Sequence, residues 1–356
     1  MHFEDLYKKN YPINSINFNK KLNWFFDIKY IIFRKLSKKI IEKQAIQLST
    51  EYKILIEKEK REKNYKYKII KTKKFKKNSF SKKIKNRNKI INSINFLKKN
   101  NFNYYFKYFL LQGSISNNDF IDGWSDLDSF VVINNKTLLD YKKIIKLQKL
   151  LKKFYQLVLK HSPFQHHGII TYTEFDLRNY KRGFLPPEAL KENINIFSKE
   201  NIFFKKENDL RNISLEILKQ RCSYIKQSIN IGYYDHHVFN NKKMRVPLRK
   251  NDPTLHQLFC HIGFMLNIPV LFLDSIGKSS HKKKSFEKFY KIIKNKKIIY
   301  FIKNHEELRS NWKNLITNKK RINKNIINFL GKDYMKNCYS VTKLVIKKIT
   351  LNLSTK

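Results

Sequence analysis

The amino-acid sequence predicts an α+β fold, a small β-sheet with flanking helices, joined to a mainly α-helical C-terminal domain. Three observations carry this expectation. Two short apolar runs, residues 108–111 and 130–133, flank a polar loop. Between residues 137 and 160 apolar side chains recur every three or four positions. Beyond Tyr180 the chain reads as successive helices rich in Ile, Leu and Lys. The sequence thus divides into a basic, mainly helical N-terminal region (1–95), a core (96–180) and an α-helical C-terminal domain (181–356).

Taken in order, the N-terminal region opens irregularly, with Pro12 and many Asn. Residues 33–62 then place Leu36, Ile40, Ile41, Ile46, Ile54 and Leu55 among charges, a helical pattern. Residues 63–87 crowd Lys and Arg together with Tyr65, Tyr67, Phe75 and Phe80. Cations interleaved with rings suit single-stranded nucleic acid; a solvated lysine-rich linker explains the same stretch. Ile90, Ile91, Ile94 and Leu97 form one helix face leading into the core.

In the core, the first apolar run ends in Gly113-Ser114, and the second is entered through Ser125-Asp126-Leu127-Asp128. Two strands and a turn are the simplest reading. Side chains alternate along a strand, so Asp126 and Asp128 share one side while Leu127 points into the sheet. Carboxylates held so close repel one another, and a hard cation such as Mg²⁺ relieves this, completing its shell with water and phosphate oxygens. Gly113 lets the backbone approach closely, and the Ser114 hydroxyl with neighbouring N–H groups can cradle an anion. Ser125, just before the acidic pair, joins them as a candidate phosphate contact.

This ordered combination resembles the signature of the nucleotidyltransferase superfamily with the DNA polymerase beta fold. The resemblance implies a small mixed β-sheet nucleotidyltransferase core. In it Gly113 and Ser114 hold a nucleoside triphosphate, and Asp126 and Asp128 bind two Mg²⁺ ions. A nucleoside monophosphate passes to a hydroxyl acceptor with release of pyrophosphate. The acceptor is open, an RNA end, a sugar, a small molecule or a protein side chain. Residues 165–190 with 256–285 also resemble uncharacterised bacterial nucleotidyltransferase-domain proteins.

The same loop could be a plain solvated turn, which Asp119, Asp122 and Gly123 would suit. Against this, residues 101–140 hold five Asp and two Lys in a chain of net charge +48, so acid is concentrated where it is otherwise scarce.

In residues 137–160, Ile144, Leu147, Leu151, Phe154 and Val158 line one helix face and Lys142, Lys146, Lys149 and Lys153 the other. Ser162-Pro163 ends this helix, and residues 165–172 read as a third strand. Here the chain departs from the superfamily, which places a third carboxylate near the start of this strand. His166-His167 stands there instead. His167 is the candidate, as general base or nitrogen ligand, with Glu174 in reserve; either histidine could equally be structural. Without a third group the chain would be a catalytically degenerate nucleotide- or RNA-binding regulatory protein.

In the C-terminal domain, His256 and His261 are five apart and do not share a helix face as a zinc pair would. Gly277-Lys278-Ser279 lacks the earlier glycine of a P-loop, Phe272 standing in its place. Arg245, Arg249 and Lys250 around Pro247 could reach a triphosphate, but read first as a surface turn.

Composition sets outer bounds. The 76 basic residues against 28 acidic suggest a polyanionic partner such as RNA, although Lys, Asn, Ile, Phe and Tyr are also what an A/T-rich genome encodes. Three distant cysteines form neither a disulfide framework nor a metal knuckle, which suits a reducing cytoplasm. The N-terminus has no signal-peptide pattern, and no transmembrane segment is expected, since residues 264–276 and 24–33 are short and interrupted.

Overall fold

The computed structural model describes residues 13–33, 36–59, 67–80, 84, 86–121, 123–161, 165, 168–180, 190, 193–205, 211–239, 242–248, 254–280, 282–317 and 328–354. It is α+β, with a small mixed sheet. The contacts divide the chain once, into compact units His2–Asn208 and Asp209–Lys356, whereas composition drew boundaries near residues 95 and 180. The difference has a physical cause. Helices of the N-terminal region share a hydrophobic core with the central sheet.

In the first unit, α1 (Ile13–Phe25) and α2 (Lys38–Glu57) are followed by β1 (Tyr67–Ile70), β2 (Lys73–Lys74), α3 (Arg87–Lys99) and β3 (Phe106–Leu111). Then come β4 (Ser129–Ile133), α4 (Asn135–Leu138), α5 (Tyr141–Leu159), β5 (Ile170–Thr173), α6 (Glu174–Arg178), β6 (Ile194–Asn195) and β7 (Ile202–Lys205). The five-stranded sheet runs β2-β6-β3-β4-β5. Strand β3 is antiparallel to both β4 and β6, while β4 and β5 are parallel, as are β2 and β6. Strands β1 and β7 form a separate antiparallel pair.

Both faces of the sheet are covered, which is why β3 and β4 read as unbroken apolar runs rather than alternating ones. On one face Phe109, Leu111, Val131 and Ile133 pack with Phe18 and Phe25 of α1, Leu48 and Tyr52 of α2, Ile90 and Ile94 of α3, and Leu147 and Leu151 of α5. On the other, Tyr108, Leu110, Phe130 and Val132 meet Ile70, Tyr172, Ile202 and Phe204. The edge of β5 is closed by a side chain of α1. Asn23 Oδ1 accepts from the N–H and the hydroxyl of Thr171, both at 2.9 Å, and its Nδ2 donates to Thr171 O at 3.1 Å. An amide that donates and accepts can replace a missing strand in this way, blunting an edge that would otherwise pair elsewhere.

The helices expected from residues 90–99 and 137–160 form as α3 and α5, with their apolar faces buried. Asp140 caps α5, accepting from the N–H groups of Lys142 and Lys143. Elsewhere the structure corrects the sequence reading. The irregular, Asn-rich start contains α1, because Phe18, Leu22 and Phe25 share one buried face and tertiary burial outweighs poor helix propensity. In α2 the buried stripe is Ala45, Leu48, Tyr52 and Leu55, leaving Ile40, Ile46 and Ile54 exposed. Where it is described, the basic segment from Tyr67 onward supplies β1 and β2, and Phe75 and Phe80 are buried in the core and not offered for stacking. Tyr65 lies outside the described residues. The third strand is shorter than expected, beginning at Ile170.

The second unit is mainly helical, with α7 (Arg211–Ile231), α8 (Thr254–Leu266), α9 (Ile268–Ser275), α10 (Lys282–Ile292), α11 (Lys296–Thr317) and α12 (Tyr334–Ser354). It also holds an unexpected antiparallel hairpin, β8 (Tyr233–Phe239) with β9 (Lys242–Pro247). Arg245 therefore lies on a strand, its guanidinium 4.3 Å from the Tyr233 ring, not on a surface turn; Arg249 and Lys250 are outside the described residues. Among the described residues one stretch, Leu255–Ser275, is long and apolar enough to cross a membrane, and 67% of its apolar 18-residue window is buried within the fold.

Candidate functional site

The candidate site forms where β3 ends and β4 begins. The two strands pair as far as Leu111 opposite Ser129, and one more bond, Gln112 N to Asp128 O at 3.1 Å, carries the pairing just beyond. Leu127 is buried in the core beneath α5, and Asp126 and Asp128 on either side of it are half-buried. The alternation expected from the sequence is thus present. Both aspartates precede β4, which begins at Ser129.

The turn after β3 meets this pair. Gly113 has φ +68°, a left-handed conformation that an L side chain adopts at a cost, and it lies against the Asp128 side chain. A Cβ added at Gly113 would overlap Asp128 Oδ2 and come within 3.3 Å of its Cβ and Cγ. Glycine is therefore required twice, by its dihedral and by the carboxylate beside it. After Gly113 the chain curls into a short loop. Asn117 N and the Ser116 hydroxyl both donate to Gly113 O, and Asp119 N donates to Ser114 O. These bonds occupy carbonyls. Among the described residues, the N–H groups of Ser114, Ile115 and Ser116 have no hydrogen-bond acceptor. Such a run of backbone donors is the feature that binds anions in a turn.

Gln165 was missed by sequence reasoning. Its buried Oε1 accepts from Leu127 N at 2.9 Å, and so fixes the backbone between the two aspartates. On that same side Leu127, Ser129, Gln165, Phe154 and Ile169 line a small internal cavity, and the Ser129 hydroxyl there has no partner. Nothing local in the sequence marks Gln165, which reaches Leu127 only because β4 and β5 are parallel neighbours.

Gly113, Ser114, Asp126 and Asp128 are therefore brought to one end of the sheet. Ser125 is used differently. Its buried hydroxyl accepts from Ile121 N at 3.0 Å, closing the loop on itself. Glu174, the reserve third carboxylate, stands at the wrong end. Thr173 is opposite Ile133, and Glu174 accepts from Asn135 N at 2.8 Å. Six residues of extended chain separate Asp128 from that point, about 20 Å. Asp176 is also there, fully buried, taking bonds from Asn19 and from the N–H and hydroxyl of Thr173. Burial raises its carboxyl to about 6. His166 and His167 lie outside the described residues.

Two carboxylates beside a donor-rich turn fit Mg²⁺, which takes hard oxygen ligands and fills the rest of its shell with water and phosphate oxygens. Among the described residues no group of three or more His, Cys, Asp or Glu side chains converges, and the carboxylates described at this site are Asp126 and Asp128. No protein-family model matches the chain, and no curated protein or solved structure was found to match it.

Proposed function

We propose that the site catalyses Mg²⁺-dependent nucleotidyl transfer, moving a nucleoside monophosphate from a nucleoside triphosphate to a hydroxyl acceptor. The observation that carries this reading is the contact between the Gly113 turn and Asp128. It sets a turn whose next three N–H groups have no acceptor among the described residues against one of the two carboxylates, which supports the reading. In the reaction the acceptor oxygen attacks the α-phosphorus, the bond from that phosphorus to the bridging oxygen breaks, and pyrophosphate leaves. The acceptor gives up its proton to solvent water in the same step. The N–H groups of Ser114, Ile115 and Ser116, with the Ser114 hydroxyl, hold the β- and γ-phosphate oxygens. Asp126 and Asp128 would hold the two Mg²⁺ ions, which when bound neutralise charge on the triphosphate and the departing pyrophosphate. Gln165 keeps the Asp126–Asp128 backbone extended. Three free cysteines suit a cytoplasmic setting for this chemistry.

The position of Glu174 favours a second reading, a degenerate site that binds nucleotide without turning it over. One experiment separates the two. Purified protein is incubated with Mg²⁺, each nucleoside triphosphate in turn and a panel of RNA, sugar and protein acceptors, and pyrophosphate is measured. Release that Asp126→Asn lowers at least 100-fold supports transfer. A Mg²⁺-dependent rise in melting temperature with triphosphate, and no pyrophosphate under any acceptor, supports the binding protein. Neither signal overturns both.

A further inference from the structure

Helix α7 buries Ser214, Leu218, Ile225 and Ser228 along one stripe, and the position between Leu218 and Ile225 that the same spacing calls for is held by Arg221, only 6% exposed. A buried charge is ordinarily matched by an opposite one, with its remaining hydrogen bonds filled. Arg221 has neither. Burial alone shifts its pKa, down to about 9, and no carboxylate acts on it, so it is still a cation at neutral pH. Its Nη1 donates to Phe264 O at 3.2 Å, and the guanidinium lies 3.8 Å from the centre of the Phe264 ring. Phe264 stands in the last turn of α8, whose carbonyls carry the negative end of the helix dipole, so this bond anchors the end of α8. It engages one guanidinium nitrogen.

Nε and Nη2 form the edge of a guanidinium that grips two oxygens at once. Arg178 shows that use in this chain, its Nε and Nη2 donating to the two carboxylate oxygens of Glu59 at 3.0 and 2.9 Å. Among the described residues nothing accepts from Nε or Nη2 of Arg221. Neither atom is sealed from solvent, so an ion can reach that edge. The charges of Lys226 and, from α12, Lys343 reach Cys222, the next residue, which makes the surroundings cationic. A doubly charged oxyanion suits that field better than a singly charged carboxylate.

We propose that the Nε–Nη2 edge of Arg221 is an anion-binding site that takes a phosphate group, independently of the chemistry at Asp126 and Asp128. The test titrates the full chain with inorganic phosphate at constant ionic strength, without Mg²⁺ or nucleotide, and takes the dissociation constant from the rise in melting temperature. Saturable binding is expected. Without Mg²⁺ the Asp126–Asp128 pair repels phosphate, so the result does not depend on the transfer reading. Arg221→Lys keeps the cation and a donor for Phe264 O but has no paired edge, and should weaken phosphate binding roughly ten-fold or more. Arg245→Lys, which alters another guanidinium stacked on a ring, should leave the constant unaltered. Should Arg221→Lys fail to fold, the Nε–H resonance of Arg221 in the unaltered chain decides by NMR: it should shift with phosphate and follow the same constant. Glycerol phosphate binding as tightly as phosphate would identify the end of a monoester as the ligand, and binding of phosphate alone the free ion. An unaltered constant in folded Arg221→Lys, an Nε–H resonance that ignores phosphate, no saturable effect of phosphate, or tighter binding of acetate than of phosphate would each overturn the proposal.

Discussion

Replacing Gly113 by alanine tests the central geometry of the site directly. At φ +68° an alanine occupies the left-handed region at a cost of roughly 1–2 kcal/mol. Its Cβ would also overlap Asp128 Oδ2, so the Asp128 side chain must leave its position, for roughly 0.5–1.5 kcal/mol if it is forced off-rotamer. The expected destabilisation is about 2–3 kcal/mol, read as a shift in the urea midpoint. Gly113→Asn separates the two contributions, because Asn tolerates the left-handed region but still carries the Cβ. A double-mutant cycle with Asp128→Ala should show coupling on the order of 1 kcal/mol, since removing the carboxylate removes the overlap. A Gly113→Ala variant within about 0.5 kcal/mol of the unaltered chain, or a strictly additive cycle, would refute the reasoning.

Other consequences are testable in the same unit. Phe80→Ala should destabilise by roughly 3–5 kcal/mol, as for any large core ring, and should leave nucleic-acid affinity unaltered; a variant of native stability with weakened RNA binding would restore the stacking reading of that segment. Gly168→Ala should cost roughly 1–3 kcal/mol, because its Cβ would lie 2.6 Å from the Tyr155 hydroxyl and 2.9 Å from Phe26 O and Ile28 N; a neutral outcome would mean those elements do not pack as described. Burial holds the His161 imidazole down at about 4, with the charge of Lys89 adding to it, while burial raises Asp176 to about 6. Between pH 6.5 and 4 the unfolded chain binds the His161 proton and the folded chain does not, so this group makes stability fall as pH falls. Between pH 6 and 4 the folded chain binds the Asp176 proton first, so that group makes stability rise as pH falls. Each effect is on the order of 3 kcal/mol, and they oppose. Asp176→Asn should therefore make β3 and β4 acid-labile, seen as faster amide exchange at pH 4.5 than at pH 7 after correction for intrinsic rates. Unaltered protection would exclude the linkage.

How much of this was legible in the sequence depended on how local each signal was. Helix α5 was readable because its burial pattern, its Asp140 cap and its lysine face all repeat within one helix. The acidic pair was readable because strand alternation fixes the relation of Asp126 to Asp128 without reference to anything distant. The strands on the other side of β3, β6 and then β2, were not. Strand β6 is only Ile194–Asn195 and β2 only Lys73–Lys74, too short for any periodicity, and they exist because the backbone beside β3 must be paired. The rings at Phe75 and Phe80 misled for a related reason. A run of lysines makes a segment look solvated, yet burial is decided by the surface that α3 and β3 present, and Lys98 covers Phe75 with its ammonium 4.6 Å from the ring centre.

The two ends of the β4–β5 pair put scarce acid to different uses, and the contrast bears on which carboxylates can do chemistry. At the far end, Glu174 and Asp176 open α6 and are bound by fixed donors: Asn135 N for the former, and Asn19 with two Thr173 groups for the latter. Asp176 completes a capping box with Thr173, and its burial raises its carboxyl well above the ordinary range. A group so enclosed reports on the stability of the helix start and has no route to a substrate. At the near end, Leu127 anchors the chain in the core, and the half-buried aspartates flanking it stand beside backbone donors without a helix to cap. If Asp126 were as structural as Asp176, Asp126→Asn would lower stability by roughly 1–3 kcal/mol, as loss of a buried charged partner does. The site reading expects the reverse pattern. Asp126→Asn should remove the Mg²⁺-dependent rise in melting temperature with nucleoside triphosphate, and Asp176→Asn should lower the urea midpoint and keep that rise.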